Sequence, residues 1–406
     1  MKQKAFFAWP LVALLAGCAS GGSTTGDHAP APIRATTTVS GSAGTLAGPD
    51  ATYWIYVGAE AADRLHRIRF GPEGAVIEKT TATGERVRNI EGPHGLMMAP
   101  DGRHLFLTTG HGVPDGKFYK IETGPDTAVA RGLDLGKFPA SLDVTPDGDY
   151  ALVVNFNLYG EMTPSTVSVV YTPDLYEVMQ IETCTMPHGS RINARGTRHY
   201  SSCMMDDQLV EIDLRTFEVS RRFSVAKGEE GPLASDDLGH HAGHRHHGRP
   251  GAMMHPSTCS PTWAQPSRDG SRIFVACNRS DEILEISYDR WEVVRRFPTG
   301  RGPYNLDVTP DDAVLVVTLK QGDAVQFIDL TSGTSITTIP NSGTVTHGVV
   351  ISPDGRYAFV SVEGVGAEPG KVDIFDLRAF ELVESVAVRQ QASGIAFWRM
   401  EPASPH

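Results

Sequence analysis

The 406 residues contain no Cys-x-x-Cys-His, no Gly-x-Ser-x-Gly and no Walker loop. Each motif serves one chemistry, so covalent haem, an α/β-hydrolase nucleophile and P-loop nucleotide binding are all without support. Positive charge is scarce too. The formal net charge is -12 and the basic residues form no long run, which argues against a nucleic-acid partner, because phosphate binding needs a basic face. The apolar run from Ala5 to Ala16 falls short of the ~20 residues with which a helix spans a bilayer. Long helical patterns are also missing. Instead, 42 Gly and 27 Pro punctuate a chain that is 40% hydrophobic, a mixture that favours many short strands.

Lys2 and Lys4 precede the apolar run, so residues 1–17 read as an export signal. It ends in Leu15-Ala16-Gly17-Cys18, which resembles the bacterial lipobox. That resemblance implies a lipid on Cys18 and attachment to a membrane through it. Residues 18–49 are rich in Ser, Thr, Gly, Ala and Pro without apolar periodicity and read as a flexible tether. Ala19 and Ser20 point to outer-membrane sorting if the cell is Gram-negative. The expected location is therefore the bacterial cell envelope, facing periplasm or surface. With Cys18 assigned to lipid, Cys184, Cys203, Cys259 and Cys277 remain for disulfides, which persist in an oxidising compartment.

Residues 50–400 carry a repeat. Six stretches share a strand, a Pro-Asp-Gly-like turn and a second strand, among them GLMMAPDGRHLFLTT, SLDVTPDGDYALVVN and GVVISPDGRYAFVSV. Each is followed by a third strand such as LVEIDLRT and a fourth such as EVSRRFSV, at the spacing of a propeller blade. Near the N-terminus YWIYVGAE, RLHRIRF and AVIEKTT supply three strands, and GIAFW, Gly394 to Trp398, supplies the missing one. The expectation is an all-β, seven-bladed β-propeller of four-stranded blades, closed by the C-terminal strand joining the N-terminal blade, with an eight-bladed ring as the rival. An insertion over residues 228–258 shows no strand pattern.

The repeat resembles the YVTN-type propeller family, within the lactonase and cytochrome d1-like propellers, with SPDGRYAFVSV a good match. The resemblance implies the fold strongly and an activity weakly, since such propellers include lactonases, haem and copper oxidoreductases and plain binding proteins.

Seven residues before the turn Asp of each blade lies the start of its innermost strand, occupied by His94, Ala140, His188, Thr262, Tyr304 and His347. Three imidazoles at one register could converge on the channel mouth as metal ligands, or His-Gly could simply be how this repeat begins its inner strand. The insertion contains His240, His241, His244, His246, His247, Met253, Met254 and His255, a set that suits copper, or zinc through the imidazoles alone. Cys184 and Cys259 precede inner strands, and Cys203 and Cys277 end the hairpin partners, so Cys184–Cys203 and Cys259–Cys277 can pair. The rival is a reduced Cys203 acting as a metal ligand beside His188 and Met205. The leading functional expectation is a lipid-anchored binding protein, monomeric, taking copper or zinc and a small ligand or envelope protein on its top face. The alternatives are a copper oxidoreductase or lactonase-like hydrolase using His94, His188 and His347, and a metal-free scaffold.

Overall fold

A computed structural model describes residues 48–85, 90–110, 115–237 and 256–402. These form seven antiparallel sheets. The first strand of every sheet touches the first strand of both neighbours in a closed cycle, which makes the sheets the blades of a ring around a central channel. Ala392–Pro402 pairs with Ala51–Ala59, which continues through Arg64–Gly71 to Gly74–Ala82. The C-terminal strand thus completes the N-terminal blade from the inside and closes the ring. The other inner strands are Pro93–Met98, Pro139–Val144, Pro187–Ile192, Pro261–Pro266, Pro303–Val308 and Thr346–Ile351.

The apolar alternation explains where the core lies. Seven buried clusters occur, each drawing on two adjacent blades. A blade shows one apolar face to each neighbour, so neither face is covered until the ring is complete. The Pro-Asp-Gly turns carry a second device: Thr145, Ser267, Thr309 and Ser352 each donate a hydroxyl to the turn Asp two residues on, at 2.5–2.6 Å. Such short side-chain bonds fix a reversal that the repeat needs in every blade.

Blade-to-blade contact explains the glycine of His-Gly. A Cβ on Gly95 would lie 2.1 Å from the Ala140 carbonyl oxygen of the next blade, and one on Gly394 would lie 2.1 Å from that of His94. Only glycine permits this approach of one inner strand to the next. The same junction is tied by Thr108, whose hydroxyl accepts from the Gly95 N–H and donates to the Ala140 carbonyl.

Cys184 is bonded to Cys203 and Cys259 to Cys277, so the reading of Cys203 as a reduced metal ligand is overturned. One further expectation is corrected. The insertion starts with a short strand, Gly231–Leu233, which pairs with the outer strand Glu218–Ser224 and gives that blade a fifth strand. Its three residues are too few to show alternation, and the neighbouring Arg222 side chain holds the turn by donating to the Ser235 carbonyl.

Candidate functional site

His94, His188 and His347 are each the second residue of an inner strand. Equivalent positions in a closed ring face the same mouth of the channel, so residues far apart in sequence meet there. The His94 ring centre lies 5.7 Å from that of His347 and 6.4 Å from that of His188. All three line an upper cavity of about 720 Å3, together with Tyr304 and Thr262 from the same register.

Each imidazole is held by its own partners. His94 Nδ1 lies 2.8 Å from Glu60 Oε1. A carboxylate only accepts, so Nδ1 carries the proton and Nε2 is left as the basic nitrogen. His188 Nδ1 donates to the Thr262 carbonyl at 2.9 Å, and its Nε2 accepts from the Tyr304 hydroxyl at 2.8 Å. His347 Nε2 lies 3.8 Å from Glu363 Oε1, whose first partner is the Lys320 ammonium at 2.7 Å. Lys320 also lies over the Tyr304 ring, 4.2 Å from its centre.

Burial sets the charge states. It pulls His188 down to about 3, with His94 and Lys320 adding to the effect. It takes His347 well below its ordinary value, reinforced by Lys320. Both rings are therefore neutral at physiological pH. Burial and the neighbouring carboxylates of Glu363 and Glu60 push Tyr304 up to about 12 against the opposing pull of Lys320. Burial works against the Lys320 ammonium, yet Tyr304, Glu363 and Glu60 more than offset it and hold the cation.

A ready metal centre does not result from this arrangement. His188 has both ring nitrogens engaged, and His94 has one. Among the described residues no group of three or more His, Cys, Asp or Glu side chains is placed to hold a metal ion. Met204 lines the cavity beside the disulfide-bonded Cys203, whereas Met97 and Met98 line a different cavity at the lower mouth. His240, His241, His244, His246, His247, Met253, Met254 and His255 lie outside the described residues, as does Cys18.

Three participants escape sequence reasoning: Glu60, Lys320 and Glu363. Glu60 directly follows Ala51–Ala59, the second strand of the N-terminal blade, and starts the three-residue 3-10 turn that leads to its third strand. Lys320 and Glu363 each follow a second strand directly, Val314–Leu319 and Tyr357–Val362, in neighbouring blades. All three thus share one register, the position after the second strand, which can be counted along the chain as the inner-strand register can.

No protein-family model and no curated protein sequence matches the chain. Solved structures share its fold. Pseudomonas aeruginosa periplasmic gluconolactonase is 16% identical, with a TM-score of 0.62 over 86% of this chain and 99% of that one. A Bacteroides uniformis protein with the provisional name 6-phosphogluconolactonase is 15% identical, with a TM-score of 0.62 over 85% of this chain and 99% of that one. Kuenenia stuttgartiensis hydrazine synthase is 19% identical, with a TM-score of 0.56 over 77% of this chain and 91% of that one. At these identities the likeness is one of fold, and the seven-bladed propeller is what the chain shares with all three.

Proposed function

We propose that the upper cavity binds a small, uncharged, oxygen-rich ring and opens it by hydrolysis, in the manner of a lactonase-like enzyme. The observation that carries this reading is the His94–Glu60 pair in the same cavity as the Lys320 ammonium. A base oriented by a carboxylate can take a proton from water, and a fixed cation can stabilise charge developing on a carbonyl oxygen. In this scheme His94 Nε2 accepts the water proton while the oxygen attacks the ring carbonyl carbon. The ring C–O bond then breaks, and His94 returns the proton to the departing alkoxide. Phe138 and Phe156 offer an apolar wall for the ring. Among the described lining residues Glu60, Asp323 and Glu363 outnumber the Lys320 cation, which favours an uncharged substrate over a phosphorylated one. The gluconolactonase-like fold neighbours agree with this reading at the level of fold alone.

The test is a panel of sugar and aliphatic lactones offered to the wild-type protein and to His94→Ala. Turnover that survives chelator and disappears in the variant, with the fold intact, supports the proposal. Turnover abolished by chelator would move the reading to a metal centre on His94, His188 and His347. Saturable binding without product would move it to a binding protein.

Two further readings rest on the sequence. The lipobox-like Leu15-Ala16-Gly17-Cys18 supports export and lipidation, and the two disulfides agree with an oxidising compartment. Labelled palmitate should enter the wild type and not Cys18→Ser. The His- and Met-rich run supports separate capture of copper or zinc, and deleting residues 238–255 should remove bound metal without reducing lactone turnover.

A further inference from the structure

Beyond the upper cavity the channel narrows to a waist of about 40 Å3. The waist shares His94 and His347 with the upper cavity and Arg191 with the lower one. Its wall carries an unusual concentration of unmet hydrogen-bonding capacity. Trp263 Nε1, Asn305 Oδ1 and His347 Nδ1 are buried and make no hydrogen bond within the protein, and all three residues line this one small space. The residues are 5%, 5% and 5% exposed, so bulk solvent does not satisfy them. The Ser393 backbone favours the charged form of the His347 ring, against burial.

Burying one such atom unsatisfied costs about 1–3 kcal/mol, and three around one cavity would be a heavy burden unless something bridges them. Their chemistry is complementary. The indole N–H can only donate, the amide oxygen can only accept, and the imidazole nitrogen can do either. We propose that the waist is a built site for an ordered water molecule, which accepts from Trp263 Nε1 and donates to Asn305 Oδ1 and His347 Nδ1. Three bonds are what a buried water ordinarily makes, and the volume exceeds the ~10–15 Å3 that one requires. A metal cation is disfavoured by the Arg191 guanidinium, which stacks on Trp263 at 4.6 Å from the ring centre. A chloride would leave Asn305 Oδ1 facing an anion.

If Nδ1 accepts from water, His347 carries its proton on Nε2, the nitrogen that lies 3.8 Å from Glu363 Oε1. The water therefore acts as a positioning element: it sets the tautomer of His347 and points its remaining N–H at the carboxylate that holds Lys320. This holds whether or not the upper cavity turns over a substrate.

Two measurements test it. A crystal structure that resolves ordered solvent should show one peak within ~2.7–3.2 Å of all three atoms, refining as water in chloride-free buffer and unchanged when bromide replaces chloride. Nitrogen NMR of labelled protein should show His347 with an unprotonated Nδ1 and a protonated Nε2, and Asn305→Leu, which fills the waist with apolar atoms, should lose both the peak and that tautomer preference. Trp263→Phe, which retains the ring stack and removes only the donor, should weaken the preference without unfolding the protein. A dry waist, a peak that takes up bromide or scatters as a metal, or a His347 protonated on Nδ1 in the wild type would overturn the proposal.

Discussion

The two mouths of the channel are lined by the same kinds of residue put to different uses. At the lower mouth the carboxylates are consumed by the fold. Asp143 accepts the N–H of Val144 and, at 2.7 Å, the N–H of Ile192 in the next blade. Asp307 does the same for Val308 and Ile351 and also pairs with Arg268 at 2.9 Å. Both come from the repeated Leu-Asp-Val, so this motif is a clasp between neighbouring blades. At the upper mouth Glu60 and Glu363 instead bind side chains, His94 and Lys320, that keep reactive capacity of their own. A carboxylate spent on backbone amides stabilises, whereas one spent on an imidazole or ammonium prepares chemistry.

The largest separation between the mouths should come from paired substitutions. If the upper mouth is catalytic, Glu60→Gln should lower kcat by about 10²–10⁴-fold through loss of tautomer control at His94, with little change in the unfolding midpoint. Asp307→Ala should do the reverse, leaving kcat near wild type while costing about 3 kcal/mol in denaturant unfolding, because two backbone N–H groups and Arg268 lose their acceptor. Equal effects of both variants on both readouts would dissolve the distinction.

At the upper rim, removing the Cys259–Cys277 bridge as a double alanine variant should cost about 3 kcal/mol, given its separation of 18 residues, again read by denaturant unfolding. A smaller loss would mean that Asp207, whose carboxylate accepts the N–H groups of Thr258, Cys259 and Ser260, already anchors this loop.

Acid should sharpen the contrast further. His188 and His199 are pulled down to about 3 and His66 to about 4, chiefly by burial. The unfolded chain, with ordinary values near 6.5, then binds more protons than the folded one in that window. Their stabilising effect is complete above about pH 6.5 and is lost as pH falls towards 4, at up to about 1.4 kcal/mol per pH unit for each histidine. Thermal melts across pH 7 to 4 measure it, and His199→Gln should flatten the slope.

Much of the fold was legible because a propeller repeats its instructions. The Pro-Asp-Gly turns, the alternating strands and the orphan GIAFW were enough to expect seven blades and their closure. Gly231–Leu233 was not legible, since a three-residue strand leaves no period to detect. At the site, the register of His94, His188 and His347 could be counted along the chain, but their hydrogen-bond partners could not. Glu60 occupies a countable position after a second strand, but its pairing with His94 depends on the neighbouring blade, and Thr262 reaches His188 through its backbone carbonyl, which no residue identity reveals.

What the sequence by itself determined is everything that depends on local period and turn chemistry: strands, turns, blade number, and which residues share a register. Only the closed ring decided which of them touch, because contacts between Glu60 and His94 or Tyr304 and His188 link separate blades and form when the circle shuts. The same closure, by burying His188 and His347, keeps those two rings neutral, and it brings His94 to the carboxylate of Glu60, the pair on which the proposed proton transfer rests.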